Sequence, residues 1–394
     1  MSIPAPLDPP AARASSSFQL PPLATKDVQE LTAIAVRGLA PMFDEEKQLF
    51  CYRLVRTKDG MAREGISPRY SVMTVLGLKQ LELQGQSSPF DLKSIYSELL
   101  RDTRWIQGAG DLGLLIWVTA CMEPERLDDL LRKFDCQSAL NRFADAQGGF
   151  TMELAWFLTG LAQAAGTSPR FAASLTDLAT KTFHLLEENQ GEHGFFGHLS
   201  TKKSLEGRLR GRIGSFADQV YPIFAMSKLA KAFDLEEPLG AALYCAKAIC
   251  DAQGKWGQWW WLYDARRGSV SSRYPVYSVH QHGMGPMALF AVEEATGRSF
   301  REHIYRGLRW IYGPNELAVD MRDPEQNLIW RCQLNGNRQT TFWEVILSTI
   351  RQSKKENRAR SLEVLYEQRP YEFGWLLFAF VPNSAGESSG NGGE

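Results

Sequence analysis

The feature that most constrains this chain is a recurring pair of helical patterns, one striped and one apolar on every side. Residues 127–145 carry Leu127, Leu130, Leu131, Phe134, Leu140 and Phe143 on one face; the turn Ala146–Phe150 and then TMELAWFLTGLAQAA, 151–165, follow. A striped helix covers a core with one side and meets water with the other, whereas an all-apolar helix must be enclosed. The pair returns. Leu175, Leu178, Ala179, Leu185 and Leu186 precede the turn Asn189–Phe195 and FADQVYPIFAMSKLAKAF, 216–233. Leu239, Ala242, Leu243, Ala246 and Ile249 precede Ala252–Trp256 and YSVHQHGMGPMALFAVEEA, 277–295. Weaker copies pair 27–39 with 67–82, 90–103 with 111–122, and 299–311 with YEFGWLLFAFV, 371–381. The last connection is long and predicts a small β-hairpin near 317–333 and an extra helix at 341–355. Six outer–inner pairs that each bury one helix close most simply into a ring; an open solenoid is the rival.

This order of outer and inner helices resembles the (α/α)6-toroid superfamily, over roughly 27–382. That group holds six-hairpin glycosidases, polysaccharide lyases, sugar epimerases and terpenoid cyclase/prenyltransferase relatives. The Q-G-x-[FW] turns at Gln147–Phe150 and Gln253–Trp256 are similar to the end of the QW motif of triterpene cyclases. The fold expected is therefore all-α, an (α/α)6 toroid of six hairpins forming one domain over 25–382. Pro, Ala and Ser dominate 1–24, and the tail 383–394 is rich in Gly and Ser, so both are expected to be disordered.

If each outer helix precedes its inner partner, all inner N-termini point to one end. In the families resembled, that end is the substrate funnel. Positive helix ends and unpaired N–H groups converge there. The first inner turns supply Arg69 and Tyr70, then Asp111, Glu153, Asp218 with Tyr221, then Tyr277, His280, Gln281 and His282, and finally Tyr371 and Glu372. Acids in first turns also serve as caps. Capping explains Asp111 best and Asp218, which follows the expected helix start, least. Asp218, Glu153, His280, Glu372 and Tyr221 are the candidate catalytic residues. Arg69, Tyr70, Asp111, Gln281 and His282 join the candidate binding set with Trp256, Trp259, Trp260, Tyr263, Arg266 and Tyr277 from the aromatic loop 254–277. Rings there offer flat faces for a sugar or a carbocation, or simply pack the loop. His280 and His282, two apart on a helix, point to different faces and make a poor metal pair.

Lys plus Arg is 44 and Asp plus Glu 45, so no basic excess marks a nucleic-acid partner. No apolar run reaches the ~18 residues of a membrane span. The six cysteines form no C-x-x-C pair, and neither end reads as a secretion signal, which predicts reduced buried thiols and a cytoplasmic place. No metal or nucleotide motif appears, so no cofactor is expected. Nothing specifies an oligomeric state. The reading that ranks first is a carbohydrate-active enzyme, a hydrolase, lyase or epimerase, acting on an oligo- or polysaccharide by general acid–base chemistry in the funnel. A terpenoid-cyclase-like protein and a non-catalytic glycan- or peptide-binding toroid are the alternatives. The D-x-D-D acid motif of the cyclases is missing.

Overall fold

The structure, a computed structural model, describes residues 25–147, 150–199, 211–335 and 362–384. The expectations for 1–24, for the helix at 341–355 and for the tail beyond 384 lie outside these residues. The striped segments form the outer helices α1 (Thr25–Gly38), α3 (Leu92–Arg101), α5 (Leu127–Lys133) with α6 (Cys136–Gln147), α8 (Pro169–Glu187), α10 (Glu236–Asp251) and α12 (Arg301–Arg309). The all-apolar segments form the inner helices α2 (Pro68–Leu83), α4 (Ala109–Met122), α7 (Thr151–Ala165), α9 (Ala217–Phe233), α11 (Gly285–Thr296) and α13 (Pro370–Ser384).

Each inner helix packs on the next, α2 on α4, then α7, α9, α11 and α13, and α13 returns to α2. That last contact closes the ring and rules out the open solenoid. Two of these contacts run through glycine pairs. A Cβ on Gly113 would lie 2.3 Å from the Phe157 backbone, and one on Gly77 would lie 2.1 Å from the Gly374 carbonyl oxygen. Any side chain at either place would push neighbouring helices apart. The middle of the barrel is filled by rings: Trp117 stacks on Phe224 at 5.3 Å and on Trp375 at 5.7 Å. No described helix is long and apolar enough to cross a membrane.

Three local departures from the pattern have simple causes. The third outer segment breaks at Phe134, whose backbone is extended, and restarts where Asp135 accepts the Ser138 amide at 2.9 Å. The fifth inner helix starts late: a π-helical turn, His280–Met284, precedes α11, and Tyr277 lies on a short strand rather than in a helical turn. The third departure concerns strands, which are more numerous than the single hairpin expected. That hairpin is present as Arg322–Asp323 paired with Leu328–Ile329. In addition β1 (Phe43–Asp44), β2 (Leu49–Thr57) and β3 (Gly60–Ile66) join Glu367–Gln368 in one sheet, and Cys332–Asn335 bridges Val276–Tyr277 and Leu362–Leu365. All of these strands lie in connections that run from an outer helix to the next inner one.

The glutamine–glycine turns have a structural role. Gln190 Nε2 donates to the Gly194 carbonyl and to Ala241 of α10, both at 3.1 Å. Gln253 Nε2 donates to the Gly257 carbonyl at 2.7 Å and to His303 of α12 at 2.9 Å. Gly194 and Gly257 hold φ of 86° and 88°, a left-handed backbone that suits glycine. Each turn is thereby tied both to itself and to the following outer helix. The side chain of Gln147 lies outside the described residues.

Candidate active site

The inner-helix beginnings share one rim, and contacts can be followed from each to the next. Phe216, two residues before Asp218, packs on His280 with ring centroids 4.5 Å apart. The Arg331 guanidinium acts on His280 and pairs with Glu372. Tyr371, next to Glu372, packs on Tyr70 at 4.6 Å. Arg69, next to Tyr70, donates its Nε to Asp111 Oδ1 at 2.7 Å. Arg69 and Asp111 both act on Glu153. The amide of Met152, beside Glu153, donates to Asp218 Oδ1 at 3.2 Å. The circuit ends where it began.

Asp218 is buried and saturated. Its Oδ2 accepts the Ser215 amide and hydroxyl, both at 2.8 Å, and His198 Nδ1 at 3.1 Å. The Ser215 hydroxyl in turn accepts the Asp218 amide at 3.2 Å, which makes a capping box at the start of α9. Capping therefore explains Asp218 better than its position in the sequence suggested. It also caps α7 from outside, together with the His198 carbonyl, which accepts the Thr151 amide at 2.9 Å. One carboxylate thus joins two inner helices and orients a histidine. With Nδ1–H directed at the carboxylate, Nε2 becomes the proton-accepting nitrogen. The His198 side chain is 25% exposed.

Glu153 projects from the first turn of α7 against the start of α4. Gly110 makes the room: a Cβ there would come within 2.8 Å of the Glu153 Cβ. Burial raises the carboxyl's pKa, and Asp111 adds to the rise, while Arg69 and His198 oppose it. A half-buried acid of raised pKa beside a cation and an imidazole is equipped to give and take a proton. Asp111 accepts the Gln107 amide at 3.0 Å with its second oxygen, so it ties down the loop that enters α4 while holding Arg69. The Arg69 guanidinium also lies 5.3 Å from the Trp156 ring. Tyr221 forms the floor: its buried hydroxyl accepts Trp375 Nε1 at 2.9 Å, and burial raises its pKa.

The opposite arc is a buried ion network. Glu372 accepts from Arg331, and from Gln368 Nε2 at 2.8 Å. Burial pushes its carboxyl up to about 6 against the pull of Arg331 and Arg369, so the pair is charged at neutral pH. Arg369 donates to Glu367 at 2.6 Å and to the Tyr70 hydroxyl at 2.9 Å. Burial and Arg331 push His280 down to about 3, and burial alone does the same to His282. Both imidazoles are neutral, and among the described residues Nδ1 of His280 and both nitrogens of His282 have no hydrogen-bond partner.

The aromatic loop divides. Trp259 and Tyr263 are fully buried, stacked among Phe216 and Phe195, and Trp260 donates its Nε1 to the Ala252 carbonyl at 2.9 Å. Gln281 is spent on the Trp259 amide and the Tyr277 carbonyl. Burial leaves Trp259, Tyr263 and Gln281 no face for a ligand, so they pack the loop. Trp256 is 40% exposed, with Lys255 over its ring. Exposed Arg266 lines a cleft of ≈ 510 Å³ with Glu188, Glu192, Arg212 and the Gly197 and Leu199 that flank His198. Tyr277 stands at the rim under the Arg331 guanidinium, 5.0 Å away. Sequence reasoning did not assign His198, Arg331 and Arg369, which sit in connections without periodicity. Among the described residues no three His, Cys, Asp or Glu side chains are grouped to hold a metal ion.

No protein-family model matches the chain, and no curated protein does so. Solved structures do match its fold. A possible member of the GH105 family from Salmonella enterica is 13% identical over 96% of this chain and 98% of that one, with a TM-score of 0.58. A sugar epimerase from a ruminal bacterium is 12% identical over 91% and 98%, with a TM-score of 0.57. An unsaturated glucuronyl hydrolase mutant from Streptococcus agalactiae, complexed with dGlcA-GalNAc6S, is 11% identical over 92% and 93%, with a TM-score of 0.53. The chain has the (α/α)6-toroid fold.

Proposed function

We propose that this chain is a carbohydrate-active enzyme that binds the uronyl end of an oligosaccharide in the barrel mouth and acts on it by general acid–base chemistry. The observation that carries the reading is Glu153: a carboxyl of raised pKa at the rim, between the Arg69–Asp111 pair and an imidazole held by Asp218. Glu153 is the proton carrier. The Asp218-held His198 is the second proton-handling group, and Asp218 itself a positioning residue. Arg69, fixed through its Nε, presents a planar cation suited to a carboxylate. Tyr277 and Tyr371 supply rim faces for a sugar ring. The uronyl group comes from the likeness to glucuronyl hydrolases in fold. The charged rim disfavours the cyclase alternative, whose cation would need an apolar chamber; the rings at the middle of this barrel already pack on one another.

The test is incubation of the protein with a set of unsaturated uronyl disaccharides, and separately with reducing disaccharides. Loss of the conjugated double bond's ultraviolet absorbance is followed for the first set, and epimer formation by NMR for the second. Turnover of either class that Glu153→Gln abolishes supports the reading. Binding without turnover moves the protein to the glycan-binding alternative, and neither binding nor turnover removes the carbohydrate reading.

A further inference from the structure

A row of tyrosines leads out of the mouth onto the sheet beside it. Tyr371 packs on Tyr70 at 4.6 Å, and Tyr70 stacks on Tyr52 at 5.5 Å with their planes only 13° apart. Tyr52 is on β2, outside the barrel, and is 40% exposed. The Arg369 guanidinium lies 4.6 Å from the Tyr52 ring and donates to the Tyr70 hydroxyl at 2.9 Å. Tyr70 and Arg369 are joined edge to edge, so they form one layer against Tyr52. The outer part of that ring faces solvent.

The neighbouring strand leaves it uncovered. Gly65 of β3 has φ of 62°, and a Cβ there would sit 3.2 Å from the Tyr52 Cβ. A side chain at 65 would crowd Tyr52 as well as strain the backbone. The polar groups of the platform lie in its own layer, the Arg369 guanidinium and the Tyr70 hydroxyl it donates to; Arg53 and Glu64, cross-strand partners one residue along, face the opposite side of the ladder. An exposed flat ring backed by a planar hydrogen-bonding side chain suits a pyranose, with its C–H face on the ring and its hydroxyls toward water and the guanidinium.

We infer that Tyr52, backed by Tyr70 and Arg369, forms an outer sugar position that binds the next residue of an oligosaccharide whose end sits at Glu153. The occupant is a sugar because the platform is continuous, ring by ring, with the mouth. This rests on the carbohydrate reading above, so the test must separate the two.

The experiment measures affinity by calorimetry for matched uronyl-terminated disaccharides and tetrasaccharides cut from chondroitin, heparin and pectin. Wild-type protein should bind at least one tetrasaccharide more tightly than its disaccharide. Tyr52→Ala should weaken that tetrasaccharide about fivefold to tenfold, leave the disaccharide within about twofold, and leave the melting temperature unchanged. Tyr52→Phe should retain the wild-type affinity, since the ring and not the hydroxyl makes the contact. Equal loss for both lengths, or no loss for either, overturns the outer position while the carbohydrate reading stands. Failure of wild-type protein to bind any member of the set overturns both.

Discussion

At one pole of the barrel the chain passes from an inner helix to the next outer one through 166–168 or 234–235; at the other it returns through 188–216 or 310–369. The short links are governed by backbone geometry. Asp234 and Gly297 end their helices with φ of 55° and 69°, left-handed caps that turn the chain at once. The long links carry the strands, His198 and the arginines of the ion network, and they lead into the inner helices that bear the catalytic candidates. Both poles belong to the same six hairpins, yet only one offers the positive ends and free N–H groups of inner helices. Those groups call for acceptors, and Asp218 answers as a cap of α7, while Asp111 fixes the loop before α4. Glu153 occupies the same kind of position with its carboxylate turned to the neighbouring helix, beside Gly110. Chemistry at such a rim starts as capping, and a carboxylate not needed as a cap becomes available for proton transfer.

That contrast can be broken most sharply at Glu153. Glu153→Gln is expected to lower kcat by about 10²–10⁴, the range of a general acid–base contribution, with thermal unfolding near that of the wild type. A matching fall in melting temperature would show that Glu153 is one more cap. Asp218→Asn is expected to lose activity and also stability, by about 1–3 kcal/mol, because the amide cannot satisfy all of its donors. Denaturant unfolding checks this, and an unchanged midpoint would contradict the double capping role.

Two pH profiles separate the arcs of the rim. If Glu153 donates its proton, kcat falls as pH rises through its raised pKa, and Glu153→Gln removes that limb. For Glu372 the sign concerns stability. Its folded carboxyl holds a proton up to about 6, above the 4.5 of a free carboxyl. Its contribution is therefore full below about 4.5 and declines as pH rises through 6. Melting temperatures across that interval should slope down in the wild type and flatten in Glu372→Gln. The smallest effect belongs to the other pole. Asp234→Gly relieves a left-handed non-glycine residue and should change stability by less than ~1 kcal/mol and leave activity unaltered. A loss of activity there would mean that the two poles are coupled.

Local pattern decided a large part of this molecule. A helix such as 151–165, apolar on all sides, has nowhere to go except inside other helices, and six of them with striped partners specify a ring whose inner beginnings face one way. For the same reason Arg69, Asp111, Glu153, Asp218 and Glu372 could be placed at one rim from the sequence. What the pattern did not reveal is the division of labour among them. Asp218 and Glu153 look alike in a first turn; partners distant in the chain, Met152 and His198 for one, Gly110 and Arg69 for the other, separate a saturated cap from the carboxyl proposed as proton carrier. The tryptophans of 256–261 likewise could have lined a funnel or filled a loop, and stacking of Trp259 on Phe216 settled that. His198, Arg331, Arg369 and Tyr52 reach the site from strands and loops, where no helical period marks a residue's direction. Periodicity reports which face of a helix is buried; the neighbours that tune one carboxyl against another are brought together only by the closing of the barrel.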